Sequence, residues 1–591
     1  METVSENQQR TPPEILKPAN RSPLLLAFSL LLTALAYVGT LRFQFVYDDL
    51  PQIVRNPFIV SWHSIPRYFT MHVWSHIFPN QPGNYYRPIF MLWLLLNHSL
   101  FGLHPWGWHA TAVALHVLTT YLVYLLAREL AQERTVAVIA SAIFGLHPAH
   151  IEAVSWISAV TELLFAVTYI AAFLCYLKAR AQKPGARWWF AGSLGFYVLS
   201  LLSKETAVVF PGILLGYEWL FRDLEQPAFR NKRLLRSIPF IALTAVYLGV
   251  REAVLKVLAA SQGHSIAAMI FTVPSLAWLY IRHLLFPVRL SAFYDLGLVR
   301  SPSLRKFALP LLGVALTIAL LWLWARRSRV VAFCALWLLL PMLPPLVSIA
   351  YFQEGDMAHD RYLYVPSVGF AIIAALALQK LRWGKPVFGR PASQVAATLV
   401  IVLLLGVATG MQHVYWSSNL LLYSRGVEIA PRNVLAWKKL GTEMLARGQR
   451  DTAIEMYQHS LQIDPNIWTT NLALGIANYE SGHWQEAEGY LLRAIRLEPT
   501  NSNQFFYLGL VRLNLGRWTE AESAFRRAIQ LWPSAAGFHY ALAAVLEKQG
   551  RLAAAREEYK AELGIEPGNA EARRQLAAVE TRLRPENKKG R

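Results

Sequence analysis

Between residues 23 and 412 apolar segments long enough to cross a bilayer follow one another, and no other feature narrows the fold so far. Away from water each backbone N–H and C=O has to be paired within the segment, so such stretches fold as helices. Thirteen can be drawn, near 23–41, 86–102, 108–127, 134–147, 158–177, 188–202, 206–221, 237–255, 272–288, 308–325, 330–349, 362–380 and 394–412. Several fall short of the roughly 17–25 residues that a plain crossing needs. Past residue 413 charged and apolar residues mix as in a soluble helical domain, and 591 residues are more than one core organises. The break near 413 therefore marks a domain boundary.

Basic residues set the orientation. The net charge of +20 is carried largely by Lys and Arg in short loops between apolar segments, which is the pattern of membrane orientation. No basic run interleaved with aromatics builds a nucleic-acid groove, so nucleic acid is excluded as a partner. The first segment, 23–41, follows a tail with Arg10, Lys17 and Arg21 and lacks a small-residue cleavage site, so it reads as a retained helix. The loops Lys178 to Arg187, Arg222 to Arg236, Arg326 to Arg329 and Lys380 to Arg390 carry the most positive charge and are expected in the cytoplasm. Alternation through all thirteen segments breaks that rule. Treating 134–147 and 272–288 as non-crossing restores it, with about eleven crossings, the N-terminus inside and the C-terminal domain outside. Cys175 and Cys334 both lie within apolar segments and support neither a disulfide framework nor a zinc site.

On that topology the polar residues at the ends of the apolar segments gather on the outer face. They are Tyr47-Asp48-Asp49, Tyr85-Tyr86-Arg87-Pro88, His147-Pro148-Ala149-His150-Ile151-Glu152, Ser203-Lys204-Glu205, Tyr294-Asp295, and Asp356 through His359-Asp360-Arg361-Tyr362. Ionisable groups at membrane depth are costly and normally face a cavity, so their common side suggests a reaction chamber. Asp48 and Asp49 stand within seven residues of the first segment in aromatic company, unlike an ordinary solvated acidic pair. Arg87 before Pro88, and Arg361, also suit interfacial anchoring; Lys204-Glu205 also suits a turn between two short helices. His147, His150 and Glu152 lack the i, i+4 pair of a helical zinc site, so capping and hydrogen bonding are expected there and no metal site is assigned.

From residue 431 the chain repeats with a period of 34. Pro431, Pro465, Pro499, Pro533 and Pro567 keep it, as do Gly448, Gly482, Gly516 and Gly550, and Ala453, Ala487, Ala521 and Ala555. Leu440, Leu474, Leu508 and Leu542 mark the first helix of each unit. This is the tetratricopeptide (TPR) period, two antiparallel helices per unit stacked into a solenoid. The expected domains are a cytoplasmic tail (1–22), a transmembrane domain (23–413), a linker with a partial repeat (414–433), four repeats (434–569), and a capping helix with a basic tail (570–591).

Together these residues resemble the transmembrane and TPR-containing O-mannosyltransferase family, within the GT-C membrane glycosyltransferases. The resemblance covers nearly the whole chain. It rests on the Asp-Asp pair, the Tyr-Arg-Pro opening the second helix, LHPAHIEAVSWIS at 146–158, LSKET at 202–206, RYLYVPSVGF at 361–370 and the repeats. It implies an all-α fold, a polytopic GT-C-type helical domain followed by a TPR solenoid. It also implies transfer of a sugar, typically mannose, from a polyprenyl-phosphate carrier to Ser or Thr hydroxyls, with inversion. Asp48 or Asp49 is then the catalytic base. The loops are short and HPAHIE varies the family's usual wording, which leaves the acceptor open.

The chemistry fits the residue types. A hydroxyl attacking an anomeric carbon must lose its proton, and a carboxylate in reach is the natural base. A departing lipid phosphate calls for cations, and Arg87, Lys204 and Arg361 are available. Tyr86, His147, His150, Glu152, Glu205, His359 and Asp360 complete the expected substrate pocket. The donor is a substrate, so no cofactor is required; membrane lipids surround the site, and the TPR array is expected to recruit a protein or peptide acceptor. Two other readings stay open: transfer of a lipid-linked sugar to a glycan or lipid, and a non-catalytic membrane-anchored TPR scaffold. The absence of Asn-x-Ser/Thr from the repeats favours a bacterial inner membrane over the endoplasmic reticulum.

Overall fold

The computed structural model describes residues 22–77, 83–181, 184–222, 234–256, 263–387 and 389–584. The tail with Arg10, Lys17 and Arg21, most of the basic loop between Arg222 and Arg236, and the basic C-terminal tail lie outside the described residues. Among the described residues the fold is helical, with a single two-stranded pairing of Pro386–Val387 and Arg390–Pro391 in the loop before the last membrane helix. Eight helices among the described residues are long and apolar enough to cross a membrane: Pro23–Arg42, Pro105–Ala131, Ile157–Arg180, Leu235–Leu255, Ile266–Leu285, Leu304–Ala325, Arg329–Tyr351 and Ala392–Trp416. Pro88–Phe101 and Pro366–Leu378 are shorter apolar helices. Each of these two starts on a proline, which lacks the N–H that a first helical turn leaves unpaired and already has helical φ.

The two segments expected not to cross differ from one another. Residues 134–147 become Arg134–Gly145, bent by 53° against Pro148–Ser155, so the pair is one broken span or a re-entrant loop. The cause is local. His147 turns its Nδ1 to accept from the Ala149 N–H at 3.2 Å, and Pro148 starts a 3-10 turn. By contrast Ile266–Leu285 is a helix of 20 residues and has the length of a crossing.

The repeats follow their period closely. Val434–Ala446 and Arg450–Ile463 form the first pair, then Trp468–Glu480 with Trp484–Leu497, Ser502–Asn514 with Trp518–Leu531, and Phe538–Lys548 with Leu552–Ile565; Ala570–Leu583 caps the stack. Gly448, Gly482, Gly516 and Gly550 turn between the helices of a pair at φ of 74–80°, a region closed to most side chains. Ala453, Ala487, Ala521 and Ala555 are fully buried between helices.

Residues 414–433 do not behave as a spacer. After Ala392–Gln412 the chain makes one 3-10 turn, His413–Trp416, and enters the helix Asn419–Ile429. Leu422, Tyr423 and Ala430 of this stretch, with Ala436 and Leu440 of the first repeat, pack into the same hydrophobic core as the membrane helices. Apolar side chains on both sides of residue 413 close against each other, and the change in composition there is no gap in the packing.

Candidate active site

The chain leaves the first helix through Val38–Arg42 and reaches Tyr47 at φ +55°, a left-handed conformation that a bulky residue adopts only under restraint. The restraint is visible. The Tyr47 N–H donates to Asn419 Oδ1 at 2.8 Å, and its ring packs edge-on against Trp156 and Phe293. The two carboxylates that follow have different surroundings. Asp49 is fully buried and accepts from the Ser158 N–H at 2.8 Å, the Ser158 hydroxyl at 2.6 Å and the Val46 N–H at 3.1 Å. Burial still outweighs these donors and pushes its carboxyl up to about 7. Asp48 is half-buried and lines a cavity, and among the described residues its carboxylate has no hydrogen bond or ion pair. Burial raises its carboxyl too, opposed by the charges of Lys439 and Arg361.

That cavity has a volume of about 70 Å³. Asp48, Arg87, Lys204 and Arg361 all line it, among Trp74, Tyr85, Trp156 and Tyr362. Each cation is anchored by a carboxylate. Arg87 donates to Glu205 from Nε at 3.1 Å and from Nη2 at 2.6 Å. Lys204 pairs with Glu162, and Arg361 pairs with Glu152 through Nη1 and, from its backbone N–H, at 3.1 Å. Burying such charges is costly unless they are paired, and these pairs meet that condition. They also leave capacity: among the described residues Nη1 of Arg87 and Nη2 of Arg361 make no hydrogen bond, and a guanidinium carries five donors. The cations rest on aromatic faces, Arg87 over Tyr85 at 4.3 Å, Lys204 over Tyr362 at 4.8 Å and Arg361 over Trp156 at 5.0 Å.

Several residues expected in the pocket stand elsewhere. Tyr86 turns away and donates to the Phe69 carbonyl at 3.2 Å, while its neighbour Tyr85 takes the wall. His147 and His150 are buried in the bend: His147 Nε2 lies 3.0 Å from the Leu284 carbonyl and His150 Nε2 lies 2.8 Å from Ser367 Oγ. Glu152 and Glu205 serve from behind as anchors. Asp360 bonds His283 Nδ1 at 2.6 Å and accepts from the Tyr294 hydroxyl. His359 lies between Glu152 and Asp356, at 3.7 and 3.6 Å, and links them only loosely. Among the described residues no three His, Cys, Asp or Glu side chains gather as metal ligands would.

Sequence reasoning missed Glu162, Trp74 and Lys439, and gave Ser158 no role of its own. Glu162 could have been found, since it is the one charged residue within the apolar segment 158–177. Ser158 had no signal, because a lone serine near a helix start is commonplace.

Comparison with known proteins places this geometry in context. The family profile of the cilia and flagella-associated protein 70 C-terminal domain matches residues 417–588. A protein O-mannosyl-transferase of Caenorhabditis elegans is 26% identical over 471 residues, covering 76% of this chain and 65% of its own length. The protein O-mannosyl-transferase TMTC1 of Homo sapiens is 26% identical over 510 residues, covering 76% of this chain and 56% of its own. The chain thus covers less than two thirds of either relative. A crystal structure of the MamA protein is 26% identical and covers 25% of this chain and 81% of its own, at a TM-score of 0.24. The family resemblance read from the motifs is borne out, since the curated relatives are protein O-mannosyl-transferases. The multiple apolar helices make this a multi-pass membrane protein. The relatives come from animals, which removes support from the bacterial inner-membrane reading.

Proposed function

We propose that this protein transfers a sugar, mannose on the evidence of its relatives, from a polyprenyl-phosphate carrier to Ser or Thr hydroxyls of proteins on the extracytoplasmic side. The observation that supports it is one cavity in which an unpaired carboxylate faces three anchored cations. Asp48 takes the proton of the acceptor hydroxyl as its oxygen bonds the anomeric carbon. The bond from that carbon to the carrier's phosphate oxygen breaks, and its electron pair stays on the phosphate. Attack opposite the leaving group inverts the anomeric centre, as in GT-C enzymes.

Each neighbour has a part. Arg87, Lys204 and Arg361 meet the charge that develops on the leaving phosphate, and Glu205, Glu162 and Glu152 hold them in place beforehand, so little reorganisation remains at the moment of transfer. Asp49, locked onto Ser158 and Val46, holds the turn that presents Asp48. The aromatic walls limit water, which protects the sugar from hydrolysis. The TPR array recruits the acceptor protein and raises its concentration at the cavity mouth.

The test is a transfer assay with the purified full chain, polyprenyl-phosphate mannose, and Ser/Thr-bearing proteins and peptides. Mannose on a hydroxyl side chain is the expected result. Donor consumption only when a glycan or lipid is supplied identifies the other acceptor class. No consumption with any acceptor leaves a scaffold and refutes the proposal.

A further inference from the structure

The first repeat docks on the membrane domain through a small set of contacts. Asn433, which caps the helix Val434–Ala446, also donates from Nδ2 to the Tyr294 carbonyl at 3.0 Å and the Gly355 carbonyl at 2.7 Å. The Arg432 N–H donates to Asp295 Oδ1 at 3.0 Å. One turn further along that helix, Lys438 and Lys439 diverge. Lys438 reaches Thr469 Oγ1 of the second repeat at 3.2 Å. Lys439 turns inward and holds its ammonium 4.6 Å from the centre of the Tyr47 ring. Tyr47 is the residue in the left-handed conformation, and its successor is Asp48.

We infer that Lys439 of the first TPR repeat is a positioning residue of the transfer site, clamping the Tyr47–Asp48 turn and supplying the positive charge nearest the Asp48 carboxylate from outside the membrane domain. The inference rests on the transferase reading for its kinetic part and on geometry alone for the clamp. It makes the first repeat a support of the turn that carries Asp48, distinct in role from the repeats that follow.

The electrostatic side follows from what faces Asp48. From its own turn come Tyr47 and Asp49; from the loop after the membrane helix Arg329–Tyr351 come Asp356 and Arg361; from the C-terminal helices come Tyr423 and Lys439. Across the cavity stand Tyr85, Arg87, Glu162, Lys204 and Tyr362. Arg87, Lys204 and Arg361 each share their charge with a carboxylate partner. Lys439 forms no ion pair among the described residues, and its charge acts on Asp48 and Asp356 together. Removing it makes Asp48 harder to ionise, and the acid limb of the pH–rate profile moves to higher pH.

The experiment compares Lys439→Met and Lys439→Arg in the full chain, with two readouts. Hydrogen exchange at the amides of residues 46–49 tests the clamp without any substrate. Lys439→Met is expected to speed exchange by roughly 2- to 30-fold, the range that a cation–π contact is worth, and Lys439→Arg to restore protection. Transfer of mannose to a short Ser/Thr peptide tests the charge. Lys439→Met should lower kcat/KM for the peptide and shift the acid limb upward, leave KM for the donor unchanged, and be rescued by Lys439→Arg. Unchanged exchange at 46–49 overturns the clamp, and an unshifted pH profile overturns the electrostatic role. If the unaltered chain transfers no sugar, the transferase reading fails by itself and the exchange result still decides the clamp.

Discussion

Replacing Asp48 and Asp49 one at a time by Asn separates two roles that adjacent positions conceal. The side chains are isosteric with the originals, so the difference lies in charge and hydrogen bonding. Among the described residues the Asp48 side chain makes no hydrogen bond, and the amide sacrifices none; the loss falls on proton removal from the acceptor. General base catalysis is worth about 10²–10⁴-fold, or about 2.7–5.5 kcal/mol, so kcat should fall by that factor while thermal stability and donor binding hold. At Asp49 the amide oxygen can keep both Ser158 donors, which share Oδ1, but its NH₂ then confronts the Val46 N–H that bonded Oδ2. One buried N–H without an acceptor costs about 1–3 kcal/mol. Asp49→Asn should therefore lower the thermal midpoint and reduce kcat by less than about tenfold. Steady-state transfer to a peptide and thermal unfolding in detergent measure both. A stable, inactive Asp49→Asn beside an active Asp48→Asn reverses the assignment and refutes the reasoning.

Other outcomes follow from the same geometry. Arg361→Ala should weaken donor binding and also destabilise the fold by about 3–5 kcal/mol, because it leaves Glu152 buried without its partner; adding Glu152→Gln should recover stability and not donor binding, read by unfolding and donor titration. Asp49, held at about 7, and Asp356, held at about 6, keep protons in the folded chain that the unfolded chain, titrating near the ordinary 3.8, has released. That stability is complete below pH 4 and is lost as pH rises through 6 to 7, and Asn at either position should flatten its share of the slope in melts from pH 4 to 8. Deleting 465–532, two whole periods of 34, preserves the stacking register and the first repeat. It should raise KM for a protein acceptor and leave short-peptide transfer intact; equal KM values for the protein acceptor before and after deletion make the later repeats a spacer.

The solenoid was legible because its signals are local: glycine at a left-handed turn and alanine at a helix contact are demanded by a few neighbouring atoms, and they recur every 34 residues. The cations of the site were legible for a related reason, since Arg87, Lys204 and Arg361 are conspicuous beside apolar segments. Their partners divide by visibility. Glu205 adjoins Lys204 in the chain yet binds Arg87, and Lys204 takes Glu162, a pairing that proximity in sequence does not show. His147-x-x-His150-x-Glu152 looks like one unit, but a 53° bend leaves the imidazoles in the core and sends the carboxylate to Arg361. The boundary near residue 413 marks where the long apolar segments end, and packing runs straight through it.

The question that sequence could not answer, which aspartate lines the cavity, turns on the backbone at Tyr47. Had Tyr47 taken an ordinary extended or helical φ, the next residues would be rotated relative to the cavity, and the Asp49 contacts with Ser158 could not coexist with an open Asp48. A tyrosine does not hold a left-handed φ on its own account; it costs about 1–3 kcal/mol. The restraint comes from Asn419, 372 residues away, with the Tyr423 ring on the same helix, and from Lys439 on the first repeat. All three belong to the C-terminal side of the compositional break. The arrangement therefore makes the geometry of the base depend on the docking of the helices that lead into the repeats. On the proposed mechanism a chain lacking them would keep Arg87, Lys204 and Arg361 and still fail to present Asp48, so a membrane domain without residues 414–446 is expected to transfer no sugar in the peptide assay.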